Sequence, residues 1–266
     1  MTSYSKRPQE NIEPTNSAKK PTAPPAPTPS DPLQAYFTVL STQNDLNNDL
    51  RERIIRLCRE ITRQSKRVIS LLQRVGGGSA ADDASLVRQA HEALVPIRAD
   101  LKNTKEEIAK QDVWRHKTSW GGGVEEYIEA ISFLHFVETG ELLTLDAAAA
   151  TMEGLPLHLS DYLGGIADLS GELMRVCVAA GGSNKPDVVR KTCAFVCNLQ
   201  AAFNMISSSA GFDYAVGKKM TVLGESLAKM EAVCFQMKLR ESEAFPASSG
   251  SLALDMGPRD DANDEQ

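Results

Sequence analysis

Histidine and cysteine are scarce in this chain, and neither is spaced for a transition metal. Four histidines and five cysteines are spread over 266 residues. No two close pairs combine into the two-plus-two pattern of a zinc site. Cys193 and Cys197 stand four apart in a helical pattern, which reads as a stripe of small apolar residues. The expectation is reduced thiols in an intracellular protein. Aromatic residues make up only 6%, and no alternating run bounded by hairpin turns occurs, which argues against a β-sandwich or barrel. No apolar run reaches membrane-spanning length. A Ser-His-Asp arrangement, a phosphate loop and a dinucleotide fingerprint are all missing. Excess positive charge is missing too. The net charge of −6 argues against a protein that coats nucleic acid by bulk electrostatics, but leaves room for a local basic patch or a basic partner subunit.

The ends differ from the middle. Residues 1–30 hold seven prolines, from Pro8 to Pro29, and few large apolar groups. Such a segment cannot bury enough surface to offset ordering entropy, so a disordered tail is expected there. It lacks the apolar core of a signal peptide. Residues 244–266 are Gly/Ser/Pro-containing and then acidic, and are expected to be a second tail. Residues 31–243 remain as a helical domain, long enough for a substantial core.

Within that domain the apolar residues recur at three, four and seven. "SDPLQAYF" starts a first helix, with Asp31 as cap and Pro32 in its first turn. The period then runs for about 45 residues, to Gly76–Gly78. A second helix is expected over Asp82–Asp112, with Pro96 inside it. "WGGG" reads as a break, placing the third helix at Val124–Glu138. Further helices are expected at Leu145–Met152, over "LSDYLGGIADLSGELMRVCVAA" with Ser160 or Asp161 as cap, over "SNKPDVVRKTCAFVCNLQAAFNMI" with Ser183 or Asn184 as cap, and at Asp213–Arg240. The fold class is all-α, an antiparallel bundle of six to seven helices with disordered termini.

Two acid pairs stand inside apolar helices. Glu126 and Glu129 are three apart, and Asp168 and Glu172 four apart, so each pair shares a helix face. Two helices that each offer two carboxylates can build an oxygen cage for a hard divalent cation. Acidic pairs at these spacings are also common on solvated faces, and spacing alone does not separate the two readings. Glu125 points about 100° from Glu126 on an ideal helix, and reads as a solvated first-turn residue. In "DVWRHKTSW", Trp114 and Trp120 interleave with Arg115, His116 and Lys117, a pattern able to stack bases and meet phosphates; on sequence alone a loop with an anchoring Trp is the default reading. Lys66 and Arg67 belong to a basic stretch on the first helix that is by default solvated. His135 reads as a core histidine.

The segments "EITRQSKRVISLLQR", "EEYIEAISFLHFVETGELL", "DYLGGIADLSGELMRVCV" and "LGESLAKMEAVCFQMKLRESE" together resemble the translin superfamily, from about residue 33 to 243. The four acids match the pattern of its factor X branch. The resemblance implies a translin-like helical fold and co-assembly with translin into a hetero-octamer. It further implies a Mg²⁺-dependent endoribonuclease, with Mn²⁺ as a possible substitute, acting on single-stranded RNA such as passenger-strand fragments in RNA silencing or tRNA precursor fragments. By the same resemblance Glu126, Glu129 and Asp168 are catalytic and bind metal with Glu172. Arg115, His116, Lys117, Lys66 and Arg67 are weaker RNA-binding candidates, and the location is cytoplasmic and nuclear, although Lys19–Lys20 is a poor nuclear signal. The glycines Gly121–Gly123 depart from the family pattern and imply a flexible turn. A non-catalytic partner that tunes a translin-like protein, or a plain helical scaffold, are the alternatives.

Overall fold

A computed structural model describes residues 31–77, 79–109, 113–207 and 214–244. The two tails, up to residue 30 and from 245, lie outside the described residues, as do Lys19–Lys20 and Asp112. Among the described residues there are seven α-helices: α1 (Pro32–Leu72), α2 (Ala80–Ile108), α3 (Lys117–Thr139), α4 (Leu145–Ala150), α5 (Leu159–Gly182), α6 (Pro186–Ser207) and α7 (Tyr214–Ala244), with a 3₁₀ turn at Val113–His116. No strand occurs among the described residues. The architecture is all-α, as the periodicity predicts.

The described residues fall into two units, 31–46 and 47–244. In the first, Asp31 accepts the N–H of Leu33 at 2.9 Å and starts α1 as expected. Leu33, Tyr36, Phe37, Val39 and Leu40 are exposed.

The second unit holds the core. From α1 it takes Leu50, Ile54, Ile61, Val68 and Leu72, from α2 Leu94, Ile97 and Leu101, and from α3 Tyr127, Ile128 and Phe133. Arg53 pairs with Glu107 and Gln64 with Asp100, so α1 and α2 run antiparallel. Lys117 meets Asp161, and Gly165 abuts Glu125 and Ile128; α3 and α5 therefore run side by side in the same direction. This pairing sets the acids of α3 alongside those of α5. α5 also packs on α6 and α7.

Several helix ends differ from the sequence expectation, each for a local reason. α2 begins earlier because Ser79 and Asp82 form a reciprocal capping box. It is the Nδ1 of His158, not Ser160 or Asp161, that caps α5, by accepting the N–H of Ser160. Ser183 closes α5 rather than opening α6, which instead has Pro186 in its first turn. The largest difference is α3. It starts at Lys117, seven residues before Val124, and runs through all three glycines. A Cβ on Gly123 would lie 2.8 Å from Cys58 Sγ and 2.9 Å from the Cys58 carbonyl oxygen. This glycine lets α3 touch the backbone of α1; it does not break the helix. Gly140, in the left-handed region at φ +79°, ends α3 by donating its N–H to the Phe136 carbonyl.

Candidate functional site

Glu126 and Glu129 from α3 and Asp168 and Glu172 from α5 line one cleft of about 480 Å³. Lys66 and Ile69 of α1, Gln73 just after its end, and Arg175 of α5 complete much of its wall. All four acids singled out by spacing are thus brought together. Their environments are unequal. Glu126 and Asp168 keep 26% and 39% of their side-chain surface. Glu129 and Glu172 keep only 7% and 8% of their residue surface.

Three of the four acids are tied to cations. Lys66 reaches Glu126 at 3.2 Å. Lys219 of α7 donates to Asp168 at 2.7 Å. Glu172 accepts from Arg175 and from Gln73. Glu129 differs: no hydrogen bond or ion pair reaches its carboxyl among the described residues. Burial pushes that carboxyl up to about 8, helped by the neighbouring Asp168, Glu172 and Glu126 charges. A buried carboxyl ringed by three others is a concentration of negative potential without a cation at its centre.

The donor set consists only of carboxylate oxygens, which suits a hard divalent cation such as Mg²⁺ or Mn²⁺. Among the described residues, no three acids, imidazoles or thiols are already drawn together around an ion position. Lys66, Lys219 and Arg175 instead pair with three of the acids. An ion here would be held by exchanging some of those partners, with Glu129 as the free donor.

Glu125 and Lys219 escape a reading by spacing. Glu125 is not in a first turn, because α3 starts eight residues earlier. Lys219 Nζ lies 2.5 Å from its Oε2, so Glu125 is the counter-charge of the lysine that holds Asp168. Nothing in the local pattern of α7 points to this lysine.

The basic candidates divide. Lys66 is at the cleft, whereas Arg67 is exposed outside its lining. Arg115 is exposed and His116 buried. Burial and the charges of Arg115 and Arg51 hold the His116 imidazole below its usual range. Lys117 pairs with the buried Asp161 at 2.5 Å and sits over the Trp120 ring. Residues 115–117 therefore lie beside the Lys117–Asp161 end of the α3/α5 interface and do not join the cleft lining. A second cleft of about 520 Å³ between α1 and α2 carries mixed, partly paired charge, including Arg53 and Glu107. Its lining carries both Arg53 and Arg56 and Glu106 and Glu107.

Residues 49–241 match the family model described as Translin family. The chain belongs to the Translin family. Within the family, this chain is 30% identical to mouse (Mus musculus) translin-associated protein X over 239 residues, which covers 80% of this chain and 81% of that protein. It is also 30% identical to the translin-associated protein X homolog of fission yeast (Schizosaccharomyces pombe), covering 77% and 88%. Chicken (Gallus gallus) translin is 22% identical, covering 78% and 93%. Among solved structures, apo-NeC3PO superposes with a TM-score of 0.60 at 15% identity, covering 76% of this chain and 96% of that one. The AfC3PO–duplex RNA complex gives 0.58 at 15%, covering 78% and 98%. At that identity the structures support the fold. No described helix of this Translin-family chain is long and apolar enough to cross a membrane.

Proposed function

We propose that this Translin-family chain is the catalytic subunit of a divalent-cation-dependent endoribonuclease, working with a translin-like partner on single-stranded RNA. One observation carries the proposal: four carboxylates from two parallel-running helices line one cleft, and the most deeply buried, Glu129, has no ion-pair partner among the described residues. The similarity to translin-associated protein X supports the partnership, and an RNA complex among the fold neighbours supports RNA as the ligand.

Glu126, Glu129 and Asp168 would hold the cation, with Glu172 as a further ligand. When bound there, Mg²⁺ supplies charge stabilisation at a phosphoryl oxygen and acidifies water. The chain's own residues do the rest. Glu129 releases its proton before it can ligate, so cation binding gains as pH rises toward 8. Lys66 and Arg175, both largely exposed at the cleft, offer cations to the phosphates that flank the scissile bond. The acidic cleft discourages RNA until a divalent ion neutralises it, which couples substrate binding to metal.

The test is cleavage of single-stranded RNA by the complex of this chain with its partner, in Mg²⁺ and in EDTA. Glu129→Gln and Asp168→Asn are expected to lower the rate at least about 100-fold with assembly intact. Unchanged cleavage by an intact variant complex would sink the catalytic assignment.

The ion pairs Lys66–Glu126, Lys219–Asp168 and Arg175–Glu172 also favour a second reading, in which the seam only braces the bundle of a non-catalytic partner subunit. That reading predicts that Asp168→Asn impairs assembly and leaves the complex's cation dependence untouched.

A further inference from the structure

Behind the four acids lies a fifth carboxylate and a buried ammonium. Lys219 projects from α7, with three-quarters of its side chain buried, to 2.5 Å from Glu125 Oε2 and 2.7 Å from Asp168 Oδ2. Asp168 lines the cleft, whereas Lys219 and Glu125 do not. The ammonium therefore meets Asp168 from behind. It engages one carboxylate oxygen, and Oδ1 accepts no hydrogen bond among the described residues. Space for the arrangement is kept by Gly164. A Cβ there would come within 3.0 Å of Glu125 Cδ and 3.2 Å of Lys219 Nζ. Three helices thus meet at one charge-paired point, α3 through Glu125, α5 through Asp168 and Gly164, and α7 through Lys219.

We propose that Lys219 is a positioning residue: braced by Glu125, it fixes one oxygen of Asp168 and leaves the other for a divalent cation in the cleft. This rests on the metal-site reading above. A half-exposed aspartate turns freely about two torsions, and a flexible ligand forfeits affinity when it must be ordered. A buried ammonium held by a second carboxylate removes that freedom before the ion arrives. Outer partners of this kind generally matter at the level of about 10–100-fold in metal affinity. Without the ammonium, Glu125 and Asp168 face each other as like charges, and Asp168 is pushed off its position.

The experiment is calorimetric titration of the full chain with Mn²⁺ alone. Lys219→Met is expected to weaken Mn²⁺ binding about 10-fold or more, and Lys219→Arg to restore it to within a few-fold of the parent. Glu125→Gln keeps the ammonium but loosens its brace, so an intermediate loss is expected; this variant decides the matter where Lys219→Met does not fold. A merely structural lysine would lower the melting temperature of Lys219→Met without moving the affinity of the molecules that remain folded. Binding as tight as the parent in Lys219→Met and Glu125→Gln overturns the inference. Tighter binding overturns it as well, since Lys219 would then be a competitor of the cation. Asp168→Asn separates the two levels of the argument. If it and Glu129→Gln bind Mn²⁺ like the parent, the metal-site reading fails and this inference falls with it. If they lose binding while the Lys219 and Glu125 variants do not, only the role of Lys219 is refuted.

Discussion

A carboxyl that keeps its proton up to about pH 8 is out of step with the unfolded chain, where glutamate titrates near 4.5. For Glu129 the cause is first desolvation, then the repulsion of three nearby acids. Between those two pH values the folded chain holds a proton that the unfolded chain has released. Stability contributed by this group is therefore fully present below about 4.5 and is lost as pH climbs through about 8. Glu129→Gln removes the titration while keeping the shape. In EDTA, the variant is expected to match the parent near pH 4.5 and to exceed it by about 1–3 kcal/mol near pH 8. Denaturant melts across that range check it. A gap that stays flat, or that narrows with rising pH, would show that Glu129 is not carrying the unfavourable charge. The same substitution is expected to abolish cation-dependent cleavage, so stability and activity should move in opposite directions at one residue, as they do where a strained group serves function.

At the scale of the element, α3 separates two adjacent glycines that a sequence cannot tell apart. A Cβ on Gly122 meets nothing within 4 Å, while one on Gly123 strikes the backbone of Cys58. Gly122→Ala should stabilise by about 0.5–1 kcal/mol through helix propensity. Gly123→Ala should destabilise by about 1–3 kcal/mol, because α1 and α3 must move apart. Chemical denaturation of the two variants measures the contrast, and equal effects would refute the close approach. These glycines also show where sequence reasoning ran out. The helical periods, the long α1, the cap at Asp31 and the shared faces of Glu126/Glu129 and Asp168/Glu172 are local properties, and all were legible. A run of three glycines is locally a helix breaker; its purpose lies 65 residues upstream, in Cys58. For the same reason Glu125 read as a solvated residue, since its partner Lys219 is 94 residues away. Spacing gave the face of each acid but not its burial. That depends on which helix comes alongside, and so Glu129 could not be singled out from Glu126. Ser79 capping with Asp82 was the exception, a serine–acid pair at capping-box spacing just after a glycine run that a purely local reading had the means to find.

For the whole molecule, charge bears on the division of labour that the proposed function implies. The full chain carries −6, and its cleft adds a local concentration of carboxylates around Glu129. RNA brings one phosphate charge per nucleotide, and its affinity grows with the number of phosphates neutralised by lysine and arginine. Until a cation takes Glu126 and Glu172, Lys66 and Arg175 stay engaged by them, so in the ion-free chain few described cations beside the cleft are open to an RNA backbone. A translin-like partner would then have to supply the basic surface. Filter binding or anisotropy at about 0.1 M salt should find weak association of single-stranded RNA with this chain alone, with little change on adding salt. The complex should bind at least about 10-fold more tightly, and that affinity should fall steeply between 50 and 200 mM salt. Mg²⁺ should raise the affinity of the complex more for the parent than for Asp168→Asn, because only an intact acid cluster needs an ion before it tolerates a phosphate. Equal RNA affinity for the isolated chain and the complex would place the binding surface on this chain and contradict the division of labour. An affinity of the complex that ignores salt would argue that RNA is held by stacking on exposed rings such as Trp114, and not through its phosphates.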